Sequence, residues 1–210
     1  MINFIFITPT YAQWNDSFEQ HKTYILNIKT NPFTIFQGPI LYTAEYRLGF
    51  EKPIATFSTI QIMAAYLGKS PYVYLAEAAM SYNDEIKING YRFQAEYKYY
   101  FLARKKGTSP FEGFYTAANA SYSKAYITNY YFKMRAQGIN ATYQYIALKF
   151  GYQHTVNNYT FDFFYGMGYR DITWQSNLPY SNTQKLNRGD FVPFDNAIKI
   201  LLGFNIGFRI

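Results

Sequence analysis

The sequence predicts an all-β fold, an eight-stranded antiparallel up-and-down transmembrane β-barrel, and three observations predict it. The first is a strict two-residue rhythm in which Ile198, Ile200, Leu202, Phe204, Ile206, Phe208 and Ile210 alternate with Lys199, Leu201, Gly203, Asn205, Gly207 and Arg209. Such alternation belongs to a strand with one apolar and one polar face, and about ten residues of it match the length a tilted strand needs to cross a bilayer. The second is composition. Hydrophobic residues make up 49% of the chain, yet mean hydropathy is only -0.25, so apolar and polar residues are interleaved rather than blocked. No stretch nears the roughly 18 apolar residues of a membrane helix. Aromatics reach 22%, with 24 Tyr and 20 Phe against 2 Trp, which suits strands and the aromatic girdles of membrane interfaces. The third is a set of seven further alternating segments whose connections sort by length.

The first segment runs from Thr23 to about Thr30, with Tyr24, Leu26 and Ile28 on one face and Asn27 and Lys29 on the other. The second, Ile40 to Phe50, sets Ile40, Tyr42, Ala44, Tyr46, Leu48 and Phe50 against Thr43, Glu45, Arg47 and Gly49. The third, about Ala55 to Leu67, has less distinct faces. The fourth, Tyr91 to Phe101, turns Tyr91, Phe93, Ala95, Tyr97, Tyr99 and Phe101 outward and Arg92, Gln94, Glu96, Lys98 and Tyr100 inward. The fifth, about Gly113 to Tyr126, is rich in small residues and ambiguous in register. The sixth, about Ile139 to His154, opposes Ile146, Leu148, Phe150 and Tyr152 to Ala147, Lys149, Gly151 and Gln153. The seventh, Tyr159 to about Asp171, opposes Phe161, Phe163, Tyr165, Met167 and Tyr169 to Asp162, Phe164, Gly166, Gly168 and Arg170. Ile198 to Ile210 is the eighth.

The connections after the second, fourth and sixth segments are comparatively short: Glu51-Lys52-Pro53, Arg104 to Glu112, and Thr155 to Asn158. Those after the third, fifth and seventh are long: Gly68 to Gly90, about Ile127 to Gly138, and Thr173 to about Asn196. The connection Asn31 to Pro39 is intermediate. Short turns on one rim and long loops on the other are the build of outer-membrane barrels. An even strand count then puts both termini on the short-turn side, the periplasm.

Ahead of the barrel, Asn3-Phe4-Ile5-Phe6-Ile7 is apolar, and Thr10-Tyr11-Ala12 before Gln13 resembles a secretory cleavage site. The expected organisation is a signal-peptide remnant over residues 1–12, a periplasmic segment over 13–21 and the barrel over 22–210. The net charge of +7 comes from scattered residues, and no basic run exceeds Arg104-Lys105-Lys106, so nucleic acid is not an expected partner. With zero Cys, disulfides, thiol catalysis and Cys-based metal sites are excluded.

Several stretches carry a resemblance: Tyr91-Arg92-Phe93-Gln94-Ala95-Glu96-Tyr97-Lys98-Tyr99-Tyr100 followed by Gly113-Phe114-Tyr115, then Tyr159-Thr160-Phe161-Asp162 leading into Gly166-Met167-Gly168-Tyr169, and Gly203-Phe204-Asn205-Ile206-Gly207-Phe208. Over about residues 22 to 210 the chain resembles the small eight-stranded outer-membrane β-barrel proteins of Gram-negative bacteria, and most of all a functionally uncharacterised family among them. The resemblance implies a bacterial outer-membrane location, contact with membrane lipid and lipopolysaccharide, and recognition of the C-terminal strand by the barrel-assembly machinery. Many such barrels end in Phe, whereas Ile210 stands here.

The expected interior holds Lys29, Arg47, Arg92, Lys98, Lys149, Arg170, Lys199 and Arg209 with Glu45, Glu96 and Asp162. Eight strands leave room for side chains or one small ligand, and charges there must pair or meet water. A structural ion network is one reading of Glu45, Arg47, Arg92, Glu96, Lys98, Lys149, Asp162, Arg170 and Arg209; a narrow anion path or pocket is the other, because the bases outnumber the acids. Asp162 and Arg209 are expected to pair. Enzymatic function is not expected. Some eight-stranded barrels modify lipid A near the outer leaflet, but the two His residues, His21 and His154, both fall at the periplasmic end. No catalytic residue, metal ligand set or cofactor is assigned. Gly166-Met167-Gly168 sits within a strand and so is expected to relieve crowding in a narrow lumen rather than to cradle phosphate. The tripeptides beginning at Asn119, Asn140 and Asn158 match a glycosylation pattern by chance. The long loops carry Ser70-Pro71-Tyr72-Val73-Tyr74-Leu75, Asn177-Leu178-Pro179-Tyr180 and the polar run Asn182 to Asp190, suited to surface binding. The sequence therefore leads to a monomeric, structural or surface-binding barrel, with a narrow pore or anion-binding barrel and a lipid A-modifying enzyme as alternatives.

Overall fold

The computed structural model describes residues 25–40, 42–80, 86–101, 111–129, 138–177, 184–185 and 197–210. The expected signal remnant and His21, the basic run at 104–106, and most of the stretch 178–196 lie outside the described residues. Within them, the strands are β1 (Asn27–Thr30), β2 (Thr43–Ala55), β3 (Ser58–Lys69), β4 (Ile86–Tyr100), β5 (Gly113–Asn129), β6 (Gly138–Val156), β7 (Tyr159–Asn177), β8 (Gln184–Lys185) and β9 (Ile198–Arg209). A 3-10 helix covers Pro32–Ile35 and an α-helix, α1, covers Pro71–Met80.

Every pairing is antiparallel. The order β6-β5-β4-β3-β2-β1-β9-β7 is closed by β6 pairing β7, which makes an eight-stranded up-and-down barrel, and β8 is a two-residue addition at the C-terminal end of β7. Closure removes most of the exposed sheet edges that an open sheet would present. The eighth sequence segment is β9, joined to β1 by Lys29 opposite Gly207 and to β7 by Asp162 opposite Asn205.

Connections separate the two ends. At the turn end, β2 reaches β3 through Thr56-Phe57 and β6 reaches β7 through Asn157-Asn158, where Asn157 takes a left-handed φ of 53° that Asn tolerates well. Residues 25 and 210 meet at this same end, where the Ile25 N–H donates to the Ile210 carbonyl at 3.0 Å. The opposite, loop end carries α1. Ser70 starts that helix: its hydroxyl accepts from the Tyr72 N–H at 3.2 Å, with Pro71 in the first helical position. The aromatic stretch from Ser70 to Leu75, expected as loop, is therefore the opening turn of a helix.

Three strand boundaries differ from expectation. β2 starts at Thr43 rather than Ile40, because the Thr43 N–H closes a turn on the Ile40 carbonyl (3.2 Å) and folds Ile40 into the interior. β2 also runs on through Glu51-Lys52-Pro53, expected as a turn; Pro53 is accommodated next to a register shift between Pro53 and Ala55. β4 begins five residues before Tyr91 was expected to open it. The two ambiguous segments acquire clear faces, with Thr59, Gln61, Met63 and Leu67 inward on β3 and Tyr115, Ala117, Asn119, Ser121 and Ser123 inward on β5.

Small residues allow β6 and β7 to lie close. A Cβ added at Gly166 or Gly168 would run into the backbone carbonyls of Leu148 and Ile146, so what these glycines make room for is the neighbouring strand rather than the lumen.

Candidate functional site

The interior is built in layers from inward positions of the strands. Nearest the turn end lies a charged layer. Lys29 of β1 bridges Glu51 of β2 (2.7 Å) and Asp162 of β7 (2.8 Å), and Lys98 of β4 reaches the same Asp162 at 2.7 Å and Glu51 at 3.7 Å. Lys149 of β6 pairs with Glu96 of β4 at 2.6 Å. Three lysines thus face three carboxylates, all fully or almost fully buried.

Neutral side chains complete the shells of these charges. Glu51 accepts from the Thr59 hydroxyl at 2.6 Å, the Tyr100 hydroxyl at 3.1 Å and the Gln153 amide at 3.2 Å. Asp162 accepts from the Tyr115 hydroxyl at 2.6 Å and Asn205 at 3.2 Å. Glu96 accepts from Asn119 at 2.7 Å. A buried ion network is tolerable only when it is satisfied in this way. The hydroxyl of Tyr100 and the ammonium groups of Lys29 and Lys98 all converge on the Gln153 side-chain oxygen, so one amide ties β1, β4 and β6 together.

Toward the loop end the balance changes. Glu45 of β2 is shared by Arg47 (2.8 Å) and Arg92 of β4 (3.0 Å), and Lys199 of β9 lies over the Tyr143 ring at 5.1 Å. Arg92 also lies over Tyr145 at 5.4 Å and donates to Gln94 and Ser121. Above these residues Ile40, Leu67, Ala125, Ala141, Tyr143, Tyr145 and Ile172 form an apolar layer, with Trp174 and Leu201 packed on it.

The interior residues named from sequence are thus found on the inward face, and Lys29, Glu96, Lys98, Lys149 and Asp162 are brought together. Glu45, Arg47 and Arg92 form a second group. The pairing expected between Asp162 and Arg209 gives way to another: the register puts Asp162 opposite Asn205, its two oxygens are taken by Lys29, Lys98, Tyr115 and Asn205, and the Arg209 guanidinium donates to the Asn157 carbonyl. Arg170 is half-buried on β7. Glu51 is the member of the charged layer missed from sequence. Continuing the parity of Glu45, Arg47 and Gly49 by one step reaches it, and Pro53 two residues later concealed that continuation.

His154 lies at the turn end of β6, half-exposed, stacked on Tyr152 and 3.5 Å from Glu112. Asn119, first of the tripeptides noted above, faces the interior. Compared with known protein families, curated proteins and solved structures, the chain matches none.

Proposed function

We propose that this chain is an outer-membrane β-barrel with a structural or surface-binding, non-enzymatic role, of the small eight-stranded kind found in Gram-negative bacteria. The observation that carries the reading is the outward face. Ile62, Ile146, Leu148, Met167, Ile200 and Leu202 are more than half exposed there, Leu202 by 88%. A patch of this kind running around a whole wall needs an apolar surrounding.

The order of residues along that face supports the same reading. Phe114, Tyr152, Phe163 and Phe204 form one row across four strands toward the turn end. Tyr46, Tyr66 and Tyr91 form another toward the loop end. Between these levels, Ala118, Leu148, Met167 and Ile200 are aliphatic neighbours. An aliphatic band between two aromatic ones is the pattern of a barrel spanning lipid. In this reading the turn end and both termini are periplasmic, the loop end meets lipopolysaccharide, β9 serves recognition by the assembly machinery, and the barrel is a monomer.

Diluting the urea-unfolded chain into phospholipid vesicles tests the reading. Strand content should develop together with protection of β2 to β9 from added protease. A folded monomer in detergent-free buffer would contradict it. The charged layer favours a closed barrel over a pore, because Lys29, Glu51, Lys98 and Asp162 meet across the interior. A second reading, an anion-binding barrel, is favoured by the surplus of cations around Glu45.

A further inference from the structure

The barrel wall changes character at one seam. β1 ends at Thr30, so β2 from Thr43 to Leu48 and β9 from Ile198 to Asn205 face each other with no strand between them among the described residues. Residues 31–39, including the 3-10 helix, lie across the gap. On the β2 side, hydroxyls stand at the missing rungs: Thr30 Oγ1 donates to the Arg47 carbonyl at 2.7 Å, and the single Thr34 hydroxyl proton is shared between the Asn31 carbonyl at 2.8 Å and the Glu45 carbonyl at 3.0 Å. On the β9 side, no backbone hydrogen bond joins 198–205 to this segment among the described residues. The Arg209 N–H points to β7 (Asn158, 2.7 Å) and the Ile210 N–H to the β1 side (Leu26, 2.9 Å), so the even positions Ile200 and Leu202 turn their N–H groups toward the seam.

Behind the seam is a hollow of about 160 Å³, room for a phosphate-sized group and a few waters at about 30 Å³ each. Its lining includes Arg47, Arg92, Lys149 and Lys199 against Glu45, with Ile200, Leu201 and Leu202 of β9. Lys149 is occupied by Glu96, and the two arginines share one carboxylate. Lys199 has no carboxylate within ion-pair distance among the described residues. The buried Nε of Arg92 has no hydrogen-bond partner among the described residues. An uncompensated positive charge and donors without acceptors, inside a low-dielectric wall, call for an anion.

We propose that the hollow between β2 and β9 is an anion site. One phosphate- or carboxylate-sized group binds to Lys199, Arg92 and Arg47 and accepts from the free β9 edge, entering beside the 3-10 helix. Phe33 and Phe36 sit on the outside of that segment, 64% and 50% exposed, where an acyl chain attached to the group would lie. Shared chemistry leaves two sources, a lipid headgroup arriving sideways and a free anion arriving from solution. The lipid route rests on the membrane reading above; the site itself does not.

The test uses the full chain folded in neutral micelles, with strand content checked by circular dichroism, and phosphorus NMR titration of two probes, inorganic phosphate and short-chain phosphatidic acid. Lys199→Met is compared with Lys124→Met, which removes the same charge from an exposed outward position on β5. Binding should weaken at least tenfold in K199M and stay within twofold of wild type in K124M; if K199M does not fold, Arg47→Gln carries the same expectation. Phosphatidic acid alone binding in this way supports the sideways lipid route, and phosphate binding as well, or alone, supports a site open to solution. Absence of binding to wild type, or equal loss in K199M and K124M, overturns the site. A chain that gains no strand content in micelles contradicts the membrane reading instead, and the phosphate titration is then run in buffer.

Discussion

Asp162 holds two lysines from two other strands, and its loss would leave both ammonium groups short of a counter-charge in the same buried space. Removing one partner of a buried ion pair costs about 3–5 kcal/mol. Asp162→Asn is therefore expected to lower the unfolding free energy in vesicles by about that amount. Adding Lys29→Met to it should recover part of the loss, because the single surviving lysine, Lys98, keeps Glu51. A urea titration of wild type, Asp162→Asn, Lys29→Met and the double variant forms a double-mutant cycle, and simple additivity would contradict the network. Most members of this network were legible from inward parity alone, since a charge on the polar face of an alternating strand has only the interior to occupy. Glu51 was not, because a nearby Pro suggested a turn where the strand in fact continues. The Asp162 partner was not legible either: parity gives the face but not the height, and height depends on register between strands far apart in sequence.

Strands and their connections respond to different forces. Gly166 of β7 faces the β6 backbone so closely that Gly166→Ala should destabilise the barrel by about 1–3 kcal/mol, read as a lower urea midpoint; an unchanged midpoint would mean that β7 can move away from β6. At the loop end, the Glu77 carboxylate of α1 pairs with Lys69 at the end of β3 and accepts from the Ile86 N–H at 2.9 Å. Burial works against its charge, but the bonds from Lys69 and Ile86 outweigh that and hold its carboxyl below the usual carboxylate range. A depressed acid contributes stability that is present above its unfolded value and lost as pH falls through the folded one. Protection factors of the α1 amides, corrected for the intrinsic pH dependence of exchange, should therefore fall on acidification below the ordinary Glu range, and Glu77→Gln should abolish that fall. Long strands were legible because period-two alternation persists over many residues. The short β1 and the helix α1 were not. Asn31 diverts the chain by accepting from the Phe33 N–H (3.1 Å), and Ser70-Pro71 starts a helix within a segment whose aromatic residues suit a loop equally well.

At the scale of the whole molecule, a largely apolar outward face surrounds an interior that the charged layer closes toward the turn end. Because the charged layer joins Lys29, Glu51, Lys98 and Asp162 from four strands across the interior, the barrel should give no steady ion conductance in a planar bilayer; stepwise channel currents would contradict the closed interior. The orientation of the wall toward lipid is the central claim, and β5 offers the most direct measurement. The chain has no cysteine, and β5 alternates small residues on its two faces, with Ala118 and Ala120 outward and Ala117 and Ser121 inward. Single cysteines at these four positions, spin-labelled in vesicles, report contact with lipid-soluble oxygen and with a water-soluble nickel complex. A wall facing lipid gives high oxygen and low nickel accessibility at 118 and 120, with neither reagent reaching 117 and 121. Nickel reaching 118 and 120 as freely as an exposed loop would contradict it.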